Sequence, residues 1–172
     1  MKKLLSEITE ESLGLEGGVE KLGTNYRLRK SARVILVNQA GKVATQYLEN
    51  YTYHKLPGGG VDPGETVEAA ALREVREEVG CTCEIISEVG VTIEYRNKYE
   101  LLHISYCFVA KVVGEIGMPA LEAGEIEEGQ ITKWVDPVEL LELMNTDAPK
   151  KYEGYFILKR EKSFLKEYIN SK

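Results

Sequence analysis

The sequence predicts an α/β domain built on a mixed β-sheet, and two observations carry that prediction. β-Branched apolar runs recur along the chain between turn signals, and amphipathic helical patterns are interleaved with them, in the order hairpin, helix, several strands, helices. The chain has 172 residues, 43% of them hydrophobic and 29% charged. That is material for one domain with a core of ordinary size rather than a disordered chain.

Residues 1–28 read as an N-terminal extension: polar, with Gly14, Gly17, Gly18 and Gly23 breaking any long helix. The extension could add an edge hairpin or a dimer contact. The domain proper spans 29–168. Its first element, Ala32–Val37, is nearly all apolar, as a buried strand would be. Asn38 to Gly41 form a turn, and Lys42 to Leu48 return as the second arm of a hairpin. Gly58-Gly59-Gly60 must be loop. Thr66 is a plausible N-cap for a helix over Val67–Val79, which Gly80 stops. Strands follow near Glu84–Glu88, Val89–Tyr95 and Leu101–Val112, and then a long acidic loop from Gly114 to Gly129. A short strand over Ile131–Val135 holds the only tryptophan, Trp134. Asp136-Pro137 opens a helix to about Met144, and a final helix runs from Tyr155 to Ile169.

Acidic residues outnumber basic ones 28 to 22, for a net charge of −6. A chain that coats DNA or RNA through its phosphates needs a basic surface, so no nucleic-acid partner is expected. An acidic protein that handles phosphates must recruit cations instead. No apolar run is long enough to span a bilayer, and Met1 to Leu5 is too short for a signal-peptide core, so no membrane partner is expected. Cys81, Cys83 and Cys107 imply no disulfide framework, and the reading is a reduced, cytoplasmic protein with inert thiols.

Within the 67–79 helix, Glu74, Glu77 and Glu78 fall in an arc of roughly 100° beside the apolar face made by Ala71, Leu72, Val75 and Val79. Like charges at this spacing repel, and a hard divalent cation offsets the repulsion, since Mg²⁺ takes carboxylate oxygens and bridges to substrate phosphates. Upstream, Gly58, Gly59, Gly60 and Gly64 let the backbone approach a ligand closely, and a freed carbonyl there could add a metal ligand. Arg73 can neutralise and orient a carboxylate, with Glu65 or Glu74 as partner.

These residues together resemble the Nudix hydrolases, whose box reads Gly-x5-Glu-x7-Arg-Glu-U-x-Glu-Glu-x-Gly-U, with U a bulky apolar residue. The chain carries Gly59, Glu65, Arg73, Glu74, Val75, Glu77, Glu78 and Gly80 at the demanded spacings over 59–81, and only Cys81 at the last position departs mildly. The resemblance implies an α/β/α sandwich with a mixed β-sheet. It implies Mg²⁺ or Mn²⁺ held by Glu74, Glu77, Glu78 and the Gly58 carbonyl. Gly59, Glu65, Arg73 and Gly80 would be structural members of the box. The general base would be Glu74 or a glutamate of the later loop. Glu128, followed by Gly129 and Gln130 at the MutT-like distance from Trp134, is the candidate there, with Glu125 and Glu127 as close rivals. The implied activity is metal-dependent hydrolysis of a pyrophosphate bond in a nucleoside diphosphate linked to a further moiety, a MutT-like nucleotide pyrophosphohydrolase being favoured. ADP-sugars, dinucleoside polyphosphates and a silent nucleotide-binding module are the alternatives, and family members are often homodimers. The proline that ADP-ribose pyrophosphatases of the family carry downstream of the box would fall at Arg96 or Asn97 and is missing.

Other residues are less telling. Arg33 and Lys55 could touch substrate phosphate. His54 and His103 share no metal-site spacing and read as structural. Tyr47, Tyr51 and Tyr53 read chiefly as cross-strand packing, and one of them could stack on a base. Lys150, Lys151, Lys159, Arg160 and Lys162 read as the exposed face of the last helix.

Overall fold

The computed structural model describes residues 2–16 and 25–172, so Gly17, Gly18 and Gly23 lie outside the described residues. Seven strands and four helices follow in the order β1 (Leu4–Thr9), β2 (Arg27–Val37), β3 (Val43–Leu48), β4 (Tyr53–Lys55), α1 (Val67–Val79), β5 (Thr82–Arg96), β6 (Leu101–Val113), α2 (Ala123–Glu127), β7 (Gln130–Val135), α3 (Pro137–Thr146) and α4 (Tyr152–Asn170). The strands form one mixed sheet in the order β1-β5-β6-β2-β3-β4, with β7 also paired to β3. β2 runs parallel to β6 along its whole length, from Arg27↔Leu101 to Val37↔Lys111. β1, from the segment read as an extension, pairs parallel with β5 and forms the sheet edge.

The two-residue period of β2 assigns its faces. Ala32, Val34 and Leu36 are buried against Ala70, Ala71, Val75 and Val79 of α1. Ile35, on the opposite face, joins Leu140 and Met144 of α3 and Phe164 and Leu165 of α4. Helices thus cover both faces, which makes the α/β/α sandwich. None of the described helices is long and apolar enough to cross a membrane.

Three elements depart from the sequence reading. The 84–88 and 89–95 segments are one strand, β5, interrupted by bulges at Ile85/Ser87 and Glu88/Gly90 that shift its register against β6. The acidic 114–129 segment contains a helix, α2, closed by a reciprocal Glu122–Glu125 capping box. The 32–48 hairpin pairs only at Val37↔Val43. Beyond that pair β3 turns away to β4 and β7, and the glycine loop takes its place beside β2, with Ala32 N–H donating to Gly59 O (3.0 Å) and Val34 N–H to Pro57 O (2.9 Å).

The face of β2 toward α4 also carries polar groups. Arg160 was expected at the surface, yet it is wholly buried. Its Nη1 donates to Glu94 Oε1 (2.8 Å) and its Nη2 to Glu161 Oε1 (2.7 Å). Arg96 Nε donates to the other Glu94 oxygen (2.7 Å). Burial alone would raise the pKa of Glu94, but Arg160, His103 and Arg96 overwhelm it and hold the carboxyl far below the usual range. His103 sits in the same cluster, with Nε2 3.0 Å from Ser31 Oγ and Nδ1 3.5 Å from Glu94 Oε2. Burial lowers its pKa to about 4 although Glu94 pulls the other way. The folded imidazole is therefore neutral where the unfolded one, at its ordinary 6.5, begins to take a proton. Its contribution to stability is complete above pH 6.5 and is lost as the pH falls toward 4, a decline on the order of 3 kcal/mol. Urea unfolding between pH 7 and pH 4 should show that decline in the wild type and a flatter profile in His103→Gln. Parallel profiles would overturn the assignment.

Candidate active site

The site begins with α1. Thr66 accepts the Ala69 N–H (3.1 Å), and Gly80 closes the helix at φ 74°. With Ala70, Ala71, Val75 and Val79 packed on the sheet, Glu74 and Glu78 lie at the edge of the packed face and are buried there. Glu78 is 1% exposed. Its Oε2 accepts the Gly58 N–H (2.6 Å), and its Oε1 faces Gln130 Nε2 (3.2 Å) and Lys55 Nζ (3.3 Å). Opposite the helix, α2 brings in Glu125, with one oxygen each from Glu74, Glu78 and Glu125 lying within 4.8 Å of one another. Crowding shows in the acidities. Burial and the charge of Glu78 raise the Glu74 pKa, and burial with the proximity of Glu78 pushes Glu125 up to about 7.

The glycine loop forms the floor of this cleft, and two of its glycines are required. A Cβ on Gly59 would stand 2.3 Å from Glu74 Oε1. Gly58 has φ +133°, and a Cβ there would meet Ala32 O at 2.2 Å. The Pro57 and Gly59 carbonyls are taken by β2, whereas the Gly58 carbonyl has no hydrogen-bond partner among the described residues. Arg73 ties loop to helix. Its Nε and Nη2 grip Glu65 (3.0 and 3.1 Å), its Nη2 also reaches Gly60 O (2.9 Å), and its Nη1 donates to Glu74 (2.9 Å) and Glu77 (3.0 Å). This geometry keeps its guanidinium fully charged.

Comparison with known proteins decides the family. A family model described as NUDIX domain matches residues 26–155. The chain belongs to the NUDIX family. An Erythrobacter litoralis protein named RNA pyrophosphohydrolase is 31% identical over 154 residues, covering 80% of this chain and 92% of that protein. Two solved structures share the fold. A NUDIX hydrolase from Nitrosomonas europaea has a TM-score of 0.63 at 17% identity, covering 85% of this chain and 91% of its own. A MutT protein from Methanosarcina mazei Go1 has a TM-score of 0.56 at 20% identity, covering 87% and 100%.

In this Nudix hydrolase the predicted site residues separate into groups. Gly58, Gly59, Glu74, Glu77, Glu78, Arg33 and Lys55 all line one cleft of about 220 Å³. Glu77 stands at its rim, with its side chain 38% exposed and held by Arg73. Glu65 and Arg73 form the clamp, and Gly80 the helix end. Glu128 lies elsewhere: it is the C-cap of α2 and lines a neighbouring cleft, while Glu125, one turn earlier, faces Glu74 and Glu78. The turn of α2 points Glu125 toward α1.

Two further cations line these clefts, Arg29 in both and Arg96 in the neighbouring one. Arg29 shares the two-residue period of Ser31 and Arg33, a signal that could have found it. Arg96 sits at the end of β5 and has no such signal. His54 is held by Asp147: its backbone N–H donates to that carboxylate (2.7 Å), and its ring Nδ1 sits 3.0 Å from it. As a donor set, three carboxylates and one uncommitted backbone carbonyl are all hard oxygens, and they suit a hard divalent cation.

Proposed function

We propose that this Nudix hydrolase cleaves a pyrophosphate bond in a nucleoside diphosphate linked to a further moiety, with a divalent cation, Mg²⁺ or Mn²⁺, held by Glu74, Glu78 and Glu125, by Glu77 at the rim and by the Gly58 carbonyl. The convergence of Glu74, Glu78 and Glu125 within 4.8 Å carries the proposal. A cation bound there neutralises charge on the phosphate oxygens and makes a water more acidic.

The remaining steps belong to the chain's own side chains. Glu74 accepts the proton of the attacking water as its oxygen bonds to phosphorus. The bridging P–O bond breaks, and the leaving phosphate departs with its electron pair. Lys55 and Arg33, in the same cleft, balance the charge that develops. Arg73 keeps Glu74 oriented from one side (2.9 Å). The products are a nucleoside phosphate and the phosphorylated remainder.

Within that class we favour a MutT-like nucleoside triphosphate as substrate. The Erythrobacter litoralis relative's name supports a second reading, 5′-phosphorylated RNA, against which stands the net charge of −6. Free, largely buried thiols at Cys81, Cys83 and Cys107 support a reduced cytoplasmic setting. The test is a phosphate-release screen over dGTP, nucleotide sugars, dinucleoside polyphosphates and a short 5′-triphosphorylated RNA. Turnover that requires Mg²⁺ or Mn²⁺ and stops with EDTA is expected. No turnover on any of them would overturn the proposal.

A further inference from the structure

A second cleft, of about 380 Å³, opens beside the carboxylate cleft and shares Arg29, Arg33 and Lys55 with it. Arg96 and Lys151 complete its cations, against the two carboxylates Glu128 and Glu153. Five cations in one cleft of a chain with net charge −6 is a local reversal of sign that focuses the field on anions.

Two of these cations keep hydrogen-bond donors free toward the cleft. Arg33 is only 6% exposed, yet its one hydrogen bond runs from Nη1 to Ala32 O (3.2 Å). Its Nε is ion-paired with Glu161 Oε1 at 3.3 Å but makes no hydrogen bond, and its Nη2 makes none with a described residue. A guanidinium carries five donors, and burying it with donors idle is unfavourable unless a ligand takes them. Arg29 lies at the surface, makes no ion pair with a described residue, and has the cations Arg96 and Arg160 and the carboxylate Glu94 as charged neighbours. Such a set fits a tetrahedral, multiply charged oxyanion, for which forked guanidinium donors are the suited partners.

We propose that the second cleft is an anion seat that takes a phosphate group lying beyond the phosphate gripped at the carboxylates, with Arg33 and Arg29 as its specificity-determining ligands. The enzyme then favours substrates bearing a triphosphate over diphosphates closed by an uncharged sugar. The proposal rests on reading the carboxylate cleft as the centre that cleaves pyrophosphate.

The experiment has a binding arm and a kinetic arm. Calorimetry of tripolyphosphate in EDTA should show binding to the wild type, weakened about ten- to hundredfold in Arg29→Gln and retained in Glu78→Gln. In steady-state assays the ratio of kcat/KM for dGTP to that for ADP-ribose should fall by a similar factor in Arg29→Gln, mainly through KM for dGTP. Arg33→Gln, which also faces the carboxylate cleft, should weaken tripolyphosphate binding likewise if it folds, with a loss of kcat on both substrates, and Arg29, at the surface, keeps the test open if it does not. Equal tripolyphosphate binding by wild type and Arg29→Gln, or an unchanged substrate ratio, overturns the anion seat. A wild type that binds tripolyphosphate but turns over nothing with Mg²⁺ or Mn²⁺ overturns the catalytic reading and leaves the seat standing.

Discussion

Glu74→Gln and Glu78→Gln each lower kcat by about 10²- to 10⁴-fold in a phosphate-release assay while the protein stays folded. The two losses have different origins. At position 74 an amide cannot accept the water's proton, and its NH₂ group can come to face Arg73 Nη1, now 2.9 Å from Glu74 Oε1. At position 78 the amide oxygen still accepts the Gly58 N–H, but the NH₂ group then points at Gln130 Nε2, which now donates to Glu78 Oε1, and at Lys55, now ion-paired with that oxygen. The carboxylate cluster also loses an anionic ligand in its most buried place. Thermal melts separate this from misfolding. Mn²⁺ should raise the Tm of the wild type by binding only the folded state and leave Glu78→Gln unmoved. Near-normal turnover in both variants would end the assignment.

Arg160→Ala should destabilise the fold by about 3–5 kcal/mol, read by urea unfolding. Arg160 is wholly buried and bridges two wholly buried carboxylates, Glu94 and Glu161. Removing it leaves Arg96 alone among these groups to balance Glu94, and leaves Glu161 with only the 3.3 Å approach of Arg33 Nε. Neither carboxylate can recover its hydration without opening the contact between α4 and the sheet. Arg160→Lys keeps the charge but loses the fork, so it should fall between wild type and Ala. A loss under about 1 kcal/mol for Arg160→Ala would mean that water reaches the network.

The catalytic helix was legible because its information is local. Thr66, the glutamate spacing, Arg73 and Gly80 act within a few turns of one another, and helix geometry converts their spacing into a shared face. Gly59 is legible for the same reason, since its Cβ would collide with Glu74 of the same motif. Which of Glu125 and Glu128 faces Glu74 and Glu78 was not, because it turned on whether 123–127 is helical, and the Glu122–Glu125 capping box is what starts that helix. Nor was the burial of Arg160, which sits among lysines in a pattern that reads as a solvated face. Only the partners Glu94 and Glu161 make its burial tolerable, and Glu94 lies far away in sequence.

The sequence by itself determined the family, the α/β class and the three helix carboxylates with their arginine clamp, because each follows from short-range geometry and motif spacing. Tertiary structure alone decided that β3 parts from β2 after Val37↔Val43, that the glycine loop enters the gap, and that Glu125 and the buried Arg33 line one cleft there. Those outcomes depend on which distant strands win the competition for the edges of β2 and on which carboxylates are at hand to make a buried charge bearable. Neither is a property of any one segment of the chain.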